Sequence, residues 1–193
     1  MNKILTHSLL ALGAALSVGS ANATVIDFSS APGGCNASYS ESGVTFSAGP
    51  DGVTASNFGP TPNTTPGLIS CNSGNFSPTT ALFSSAFSGA ISVDLGDFNA
   101  DADDIFLRLF DAGNMLLASD TFHLDASFIG MHTLTANAAN VAYAVFGGVG
   151  AVGSSVYADN FTFNSQQTVP EPGALLLVGT ALAGLALLRR RQA

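Results

Sequence analysis

Charged residues are scarce in this chain of 193 residues: they make up 9% of it, whereas soluble globular domains usually contain about 25%. Cations are the rarest, with five Lys and Arg against 13 Asp and Glu. Between Thr24 and Val169 there is one cation, Arg108, against twelve acids. This deficit excludes nucleic-acid binding, because phosphate contacts need Lys and Arg. A hydrophobic content of 47% also excludes an extended disordered chain.

Tryptophan is absent, and cysteine occurs only at Cys35 and Cys71. In an oxidising compartment two such residues are expected to form a disulfide, which here closes a loop of about 36 residues. The alternative is two unpaired thiols. Export, which the N-terminus predicts, favours the disulfide.

The N-terminus has the three parts of a signal peptide. Lys3 gives a positive start, Ile4–Gly19 is mostly apolar, and Ala21 and Ala23 form a small-x-small pair. This order predicts cleavage by signal peptidase after Ala23 and export of the remainder. A retained first membrane helix is the alternative reading.

The C-terminal region predicts a membrane helix. Gly173–Leu188 contains no charged residue and spans about 24 Å as a helix, close to the thickness of a hydrocarbon core. Arg189, Arg190 and Arg191 follow it at once. The positive-inside rule keeps these arginines cytoplasmic, so the helix anchors the chain in the inner membrane with the body outside. A buried core helix is the alternative.

An extended peptide precedes this helix: Val169, Pro170, Glu171 and Pro172. The prolines prevent helix here, so the peptide is accessible to a protease groove. The order of peptide, apolar helix and arginine cluster resembles the PEP-CTERM sorting signal of bacterial exported proteins. The resemblance implies processing by an exosortase and delivery to the cell surface or the extracellular polymer matrix. It implies nothing about the chemistry of the body.

These observations divide the chain into a signal peptide (1–23), a body (24–165) and a sorting and anchor segment (166–193). Within the body, short apolar and alternating segments lie between clusters of Gly, Asn, Asp and Ser, as in all-β domains. About eight short strands predict a β-sandwich, specifically a jelly roll. The predicted strands contain Val25–Ile26, Val44–Phe46, Ile91–Leu95, Ile105–Phe110, Met115–Ala118, Thr121–Leu124, Val141–Phe146 and Phe161–Phe163.

Three further expectations concern the body. Residues 111–114 are predicted to form a hairpin turn. Residues 47–80, rich in Pro, Gly, Asn, Ser and Thr, are predicted to be a long loop. The predicted core contains Phe106, Phe110, Phe122, Phe146, Phe161 and Phe163, although aromatic stripes also bind sugar rings.

Catalytic motifs are few. His123 and His132 have no metal-ligand spacing between them, no GxSxG motif occurs, and the cysteines are expected to be paired. We therefore expect the body not to be an enzyme.

An acidic run offers oxygen ligands at alternate positions: Asp97, Asn99, Asp101 and Asp103. Such ligands suit a hard cation such as Ca²⁺, but Ala102 and Arg108 depart from the EF-hand pattern. The alternative, which we favour, is a solvated acidic turn between two strands.

Two more calcium candidates come from a resemblance. Asp27 follows the first predicted strand and Asp159 precedes the last, in an order that resembles the jelly-roll ectodomains of PEP-CTERM proteins and, distantly, carbohydrate-binding modules. In such modules the terminal strands pair, and nearby acids hold a structural calcium.

The sequence therefore predicts an exported structural or adhesive protein with an exosortase, signal peptidase and the inner membrane as partners. The alternative is a carbohydrate-binding module with extracellular polysaccharide as its partner, with or without calcium. No other cofactor is expected.

Overall fold

The computed structural model describes residues 23–56, 66–71, 77–97, 101–128, 130–150 and 156–164, all within one compact unit, Ala21–Gln166. These residues form strands and turns and contain no helix, which confirms the all-β prediction. The strands are β1 (Ala23–Ile26), β2 (Tyr39–Glu41), β3 (Val44–Ser47), β4 (Val53–Ser56), β5 (Gly67–Ser70), β6 (Thr79–Asp97), β7 (Asp103–Phe110), β8 (Leu116–Leu124), β9 (His132–Gly150) and β10 (Val156–Asn164).

The pairing of the strands gives a sandwich-like arrangement that is not closed. The main path is β4-β5-β10-β6-β9-β7-β8, with β1 paired to β10 and β3 paired to both β2 and β6. The first part of β6 pairs with β3 and the end of β9, whereas its last part pairs with β10 and the start of β9. The two long strands therefore belong to both layers.

Backbone irregularities explain how β6 and β9 change partners without ending. The β6–β9 register shifts around Phe87 and Gly89, and Gly89 has a φ of 149°. On the opposite strand Asn140 has a φ of 59°, which Asn tolerates better than most residues. Such bulges bend a strand while its pairing continues. The prediction of short strands was wrong for β6 and β9, because a bulge carries no strong signal in sequence.

The core lies between the two layers and is filled by alternate residues of the strands. Ile105, Leu107 and Leu109 of β7 are fully buried. Phe161 of β10 packs edge-on against Phe46 at 5.3 Å between ring centroids and lies 5.7 Å from Phe146 in a tilted arrangement. Burial of these side chains supplies the main favourable free energy of folding.

The predicted phenylalanine core is correct for Phe146, Phe161 and Phe163, the last of which is partly buried against the core. Phe106 is also buried, at 5% exposed, although it lies on the outward face of β7 and not in the main cluster. The prediction was wrong for Phe110, which is half-buried on that face, and for Phe122, which is 40% exposed on β8. Composition identifies apolar residues, but the strand register decides which of them face inward.

The segment predicted to be a long loop, residues 47–80, contains two strands instead. β4 and β5 pair antiparallel, and Leu68 and Ile69 of β5 are buried. Residues 57–65 and 72–76 lie outside the described part. The strands were missed because each has only four residues among turn-forming neighbours.

The disulfide between Cys35 and Cys71 is present, as predicted, with 5.7 Å between the Cα atoms. It joins the loop between β1 and β2 to the residue after β5. Asn36 also exchanges two backbone hydrogen bonds with Val53, at 2.9 and 2.8 Å. The covalent bond therefore reinforces the hydrogen-bonded pairing of this loop with β4.

The terminal strands pair, as the resemblance implies. β1 lies antiparallel to β10, with Ala23 opposite Asn164 and Ile26 opposite Phe161. Ile26 is fully buried, so the first strand contributes to the core.

Among the described residues, which form strands and turns, there is no helix long and apolar enough to cross a membrane. The predicted signal peptide and Gly173–Leu188 lie outside them, apart from Ala23.

Candidate functional site

The outward face of β7 carries the single cation of the body. Inward residues alternate with Asp104, Phe106 and Arg108, which point outward because successive side chains of a strand alternate in direction. The Arg108 guanidinium lies over the Phe106 ring, with Cζ 4.3 Å from its centroid. This cation–π contact covers Phe106 and leaves the side chain of Arg108 exposed. Within the described ranges Arg108 forms no ion pair.

The strands on both sides of β7 extend this surface. Antiparallel partners share a face, so the register places three residues of β8 and three of β9 beside the three of β7. Val149 of β9 is 63% exposed, and Gly147 lies opposite Phe106. We name this surface the β7 face; it consists of Asp104, Phe106, Arg108, Ser119, Thr121, His123, Val145, Gly147 and Val149.

His123 is held by acids at one end of the β7 face. Its Nδ1 donates to Asp104 Oδ1 at 2.6 Å, and its Nε2 lies 3.6 Å from Asp125 Oδ1. The hydrogen bond to Asp104 is the main cause that raises the pKa of His123 above its ordinary value of 6.5. The group is exposed, so solvent screens these charges and the contribution to stability is small.

Sequence reasoning missed the Asp104–His123 pair, because the hairpin turn alone does not give the register of these two residues. Asp111 accepts hydrogen bonds from the backbone N–H groups of Gly113 and Met115, both at 2.8 Å, which confirms the predicted hairpin turn. Counting back from the pair Phe110–Leu116 beside the turn would place Asp104 opposite Phe122, but a register shift between Leu109 and Phe110 moves the pairing by one residue, to His123.

His132 has a different environment. It lies on β9 and stacks on Phe122 of β8, with 3.6 Å between ring centroids and 9° between planes. Nearby, Asp120 Oδ2 accepts the Thr135 backbone N–H at 2.8 Å, which satisfies a donor on β9. These contacts join β8 to the first part of β9, a structural role.

The acidic run lies where β6 leads into β7. Asp103 is 1% exposed, in β7 opposite Leu124. Both carboxylate oxygens of Asp101 are buried and accept no hydrogen bond from a described residue. Asn99 and the side chain of Asp97 lie outside the described part. Two members of the predicted ligand set are thus placed at the same end of β7.

The two other calcium candidates have local partners. Asp27 Oδ1 accepts hydrogen bonds from the Oγ and N–H of Ser29 at 2.7 and 3.0 Å, and the hydroxyl contact is the main cause that lowers the pKa of Asp27. Asp159 is 1% exposed, accepts the Asn160 backbone N–H at 2.7 Å and lies opposite Asp94. Among the described residues, no three of His, Cys, Asp and Glu are grouped so that they hold a metal ion.

Beside the β7 face an apolar row crosses four strands. The register aligns Leu82 with Tyr143, Tyr143 with Phe110, and Phe110 with Leu116. The Phe110 and Tyr143 rings stack at 5.0 Å, and Tyr143 Oη donates to Asn114 Oδ1 at 2.9 Å. We name these four residues the apolar row; Leu82 and Leu116 at its ends are both 52% exposed.

The predicted sorting residues lie outside the described residues: Val169, Pro170, Glu171, Pro172, Arg189, Arg190 and Arg191.

Two solved structures are similar to the chain at low identity. An arabinose-bound GH51 α-L-arabinofuranosidase matches 66% of this chain at 11% identity with a TM-score of 0.41, and the chain spans 23% of its length. A DUF4465 family protein from Bacteroides caccae ATCC 43185 matches 75% of this chain and 100% of its own at 8% identity, with a TM-score of 0.47.

No curated protein matches the chain. Residues 168–191 match the family model of the PEP-CTERM protein-sorting motif. The match covers the peptide, the apolar segment and the arginine cluster on which the resemblance rests. The chain therefore carries a PEP-CTERM protein-sorting motif at residues 168–191, consistent with an exported protein that an exosortase sorts.

Proposed function

We propose that this is a surface or extracellular-matrix protein with a structural or adhesive role, delivered by exosortase processing at its C-terminal motif. The observation that carries the proposal is the PEP-CTERM match at residues 168–191. The disulfide supports it, because such bonds persist in the oxidising compartments that exported proteins enter.

Processing at the motif is tested by Glu171→Ala in the full chain, expressed in cells that contain an exosortase. The expected result is a longer, membrane-retained precursor in a blot of cell fractions, because the altered residue lies in the peptide that the enzyme engages. Gln167→Ala, just outside the matched residues, is the control and leaves processing unchanged. Normal maturation of Glu171→Ala overturns the exosortase step.

The finer architecture belongs to the same proposal. Residues 1–23 are the signal peptide, Gly173–Leu188 is the membrane helix, and the body is a jelly roll. The pairing of β1 with β10 supports the last point. Amino-terminal sequencing of the exported protein tests the first: a product that begins at Thr24 supports cleavage after Ala23, and an intact Met1 contradicts it.

We also propose that the body is not an enzyme. Within the described ranges, neither His123 nor His132 hydrogen-bonds to a serine or a cysteine, so no activated nucleophile supports catalysis. Hydrolysis in an activity screen that is lost in His123→Ala or His132→Ala contradicts this view.

Carbohydrate binding is the second candidate function. The apolar row supports it, because exposed aromatic and aliphatic side chains beside polar groups offer contact to the C–H surfaces of sugar rings. A glycan array probed with the full chain tests it. Binding that Tyr143→Ala abolishes and Phe122→Ala preserves supports this function, and uniform background signal excludes it.

Calcium binding at the start of β7 is a further part of that candidate. The buried oxygens of Asp101 support it, since carboxylate oxygens without hydrogen-bond donors suit a hard cation. A ligand that binds only the folded chain raises its melting temperature. Calcium is therefore expected to raise melting relative to chelator in the wild type and not in Asp101→Asn; equal melting of the wild type in both removes the proposal.

A further inference from the structure

The chain enters and leaves the body at one end of the sandwich. Ala23, which ends the predicted signal peptide, lies opposite Asn164, the last described residue before the sorting segment. The carbonyl group of Asn164 packs so closely on Gly89, in the bend of β6, that a Cβ atom does not fit there. The bend, where β6 and β9 pass from one layer to the other, therefore marks the end of the body from which both predicted membrane segments continue.

The turn between β7 and β8 lies at this same end. In the bend the backbone N–H of Asn140 donates to Ser88 Oγ at 3.0 Å, and three residues later Tyr143 Oη donates to Asn114 Oδ1 in the turn. β7 runs toward the bend and ends opposite Tyr143. We name this region the exit end; it consists of residues 23–25, 82–89, 111–116, 140–143 and 163–164.

Exposed apolar side chains are concentrated at the exit end. Among the described residues six large apolar side chains are exposed, and four of them lie here: Val25, Leu82, Met115 and Leu116. The other two, Phe122 and Val149, lie six residues, or about 20 Å, farther along β8 and β9. The exit end therefore offers more apolar contact than the opposite end of the same strands.

The exit end carries little charge. Arg108, the one cation of the described ranges, lies outside it. The carboxylate of Asp111 accepts backbone N–H groups of its own turn, and the bend exposes Ser84, Ser85 and Ala86. A surface without cations is not drawn to anionic lipids, which attract Lys and Arg, but apolar side chains beside small polar ones suit the boundary between headgroups and acyl chains.

The sequence between the body and the predicted membrane helix is short. Eight residues, 165–172, separate Asn164 from Gly173. Fully stretched they span about 30 Å, because one residue covers at most about 3.3–3.6 Å. β7 alone is about 27 Å long, so the exit end is the part of the body that reaches a bilayer without stretching this segment. A short tether also raises the effective concentration of the two surfaces, so a weak contact suffices.

We propose that the exit end rests on the lipid bilayer in the membrane-held precursor, with Met115 and Leu116 among the headgroups of neutral phospholipids. This inference rests on the proposed membrane anchor and adds the surface by which the body meets the membrane. Leu82 and Leu116 also end the apolar row, so the bilayer covers part of that row in the precursor. Release by an exosortase therefore uncovers apolar surface for another ligand.

The test uses the anchored precursor, isolated from exporting cells that lack an exosortase and reconstituted in phosphatidylcholine vesicles. The chain contains no tryptophan, so Met115→Trp introduces a single fluorescent probe at the exit end. Phosphatidylcholine with brominated acyl chains quenches tryptophan on contact and is expected to lower the emission of this variant about two-fold, since apolar side chains at such interfaces lie about 5–10 Å deep.

Val149→Trp is the matched control, because Val149 is 63% exposed and Met115 is 61% exposed. Its emission is expected to stay unchanged in brominated lipid. Leu82→Trp places a second probe on another strand of the exit end and is expected to be quenched as Met115→Trp is. Equal melting of the three variants and the wild type, followed by circular dichroism, shows that the probes leave the fold intact.

Four results overturn the inference: equal quenching of Met115→Trp and Val149→Trp, no quenching of either, quenching that requires phosphatidylglycerol, and a blue-shifted but unquenched Met115→Trp, which indicates that a second copy covers the exit end. Flotation of the vesicles measures the anchor separately. A chain that floats with an unquenched probe keeps the proposed anchor and loses this inference, whereas a chain that does not float contradicts the anchor itself.

Discussion

Removing the ring of Phe161 is expected to destabilise the body strongly. The side chain is fully buried and lies 5.3 Å from Phe46 and 5.7 Å from Phe146 between ring centroids, so the neighbours cannot close the gap without leaving their own strands. Burying a phenylalanine removes roughly 150–250 Å² from water, worth about 4–6 kcal/mol at 25 cal/mol per Å². Because the alanine side chain keeps part of this burial free energy, Phe161→Ala is expected to lower the free energy of unfolding by about 4 kcal/mol.

Urea unfolding of the full chain in mild detergent, followed by circular dichroism, measures this loss as a lower midpoint with an unchanged slope. Phe122→Ala is the matched control: its ring is 40% exposed on β8, and we expect a loss of about 1 kcal/mol. Equal losses in the two variants, or a loss below about 1 kcal/mol for Phe161→Ala, refute the assignment of the core.

Three further predictions concern the disulfide, a histidine and a glycine. Replacing Cys35 and Cys71 by serine together is expected to lower the unfolding free energy by about 4 kcal/mol, the chain-entropy value for a 36-residue loop, and a change below about 1 kcal/mol in urea unfolding contradicts it. In an NMR titration the pKa of His123 is expected to lie above 6.5 and to fall toward 6.5 in Asp104→Asn. Because the folded state raises this pKa, protonation of His123 stabilises the fold. This stabilisation is present below pH 6.5 and is lost as the pH rises through the folded-state pKa. Gly52→Ala is expected to cost more than about 1 kcal/mol, because its φ is 80° and a Cβ there lies 2.0 Å from a backbone oxygen; thermal melting at the wild-type temperature argues against this strain.

The parts of the fold that the sequence predicts are those with strong local patterns. Alternating segments such as Ile91–Leu95 and Phe161–Phe163 are strands, and the Asp111 turn joins β7 and β8. These patterns are local, since a strand exposes a polar residue at every second position and a turn needs its own side-chain hydrogen bonds.

The parts that the sequence does not predict depend on contacts between distant segments. The predicted strands Met115–Ala118 and Thr121–Leu124 belong to one strand, Leu116–Leu124, because pairing with β7 extends along both. The outward position of Phe106 depends on register, and its burial depends on Arg108 lying over it. Neither fact is visible in a window of a few residues.

The candidate sites show the same difference between local patterns and contacts of distant segments. The PEP-CTERM motif is contiguous, so its residues were found from the sequence and matched by the comparison. The β7 face draws on three strands, and its residues come together only when Asp104, Phe106 and Arg108 are placed beside their partners on β8 and β9.

The antiparallel contact of β1 with β10 sets an order of events during biosynthesis. A ribosome or a translocation channel releases the chain from its amino terminus, so Ala23–Ile26 emerges first and waits for Val156–Asn164, which emerges last of the strands. Until then Ile26 has no complete core to enter. A chain released only as far as β9 therefore lacks the partner strand of β1, and its core stays incomplete until Val156–Asn164 has emerged.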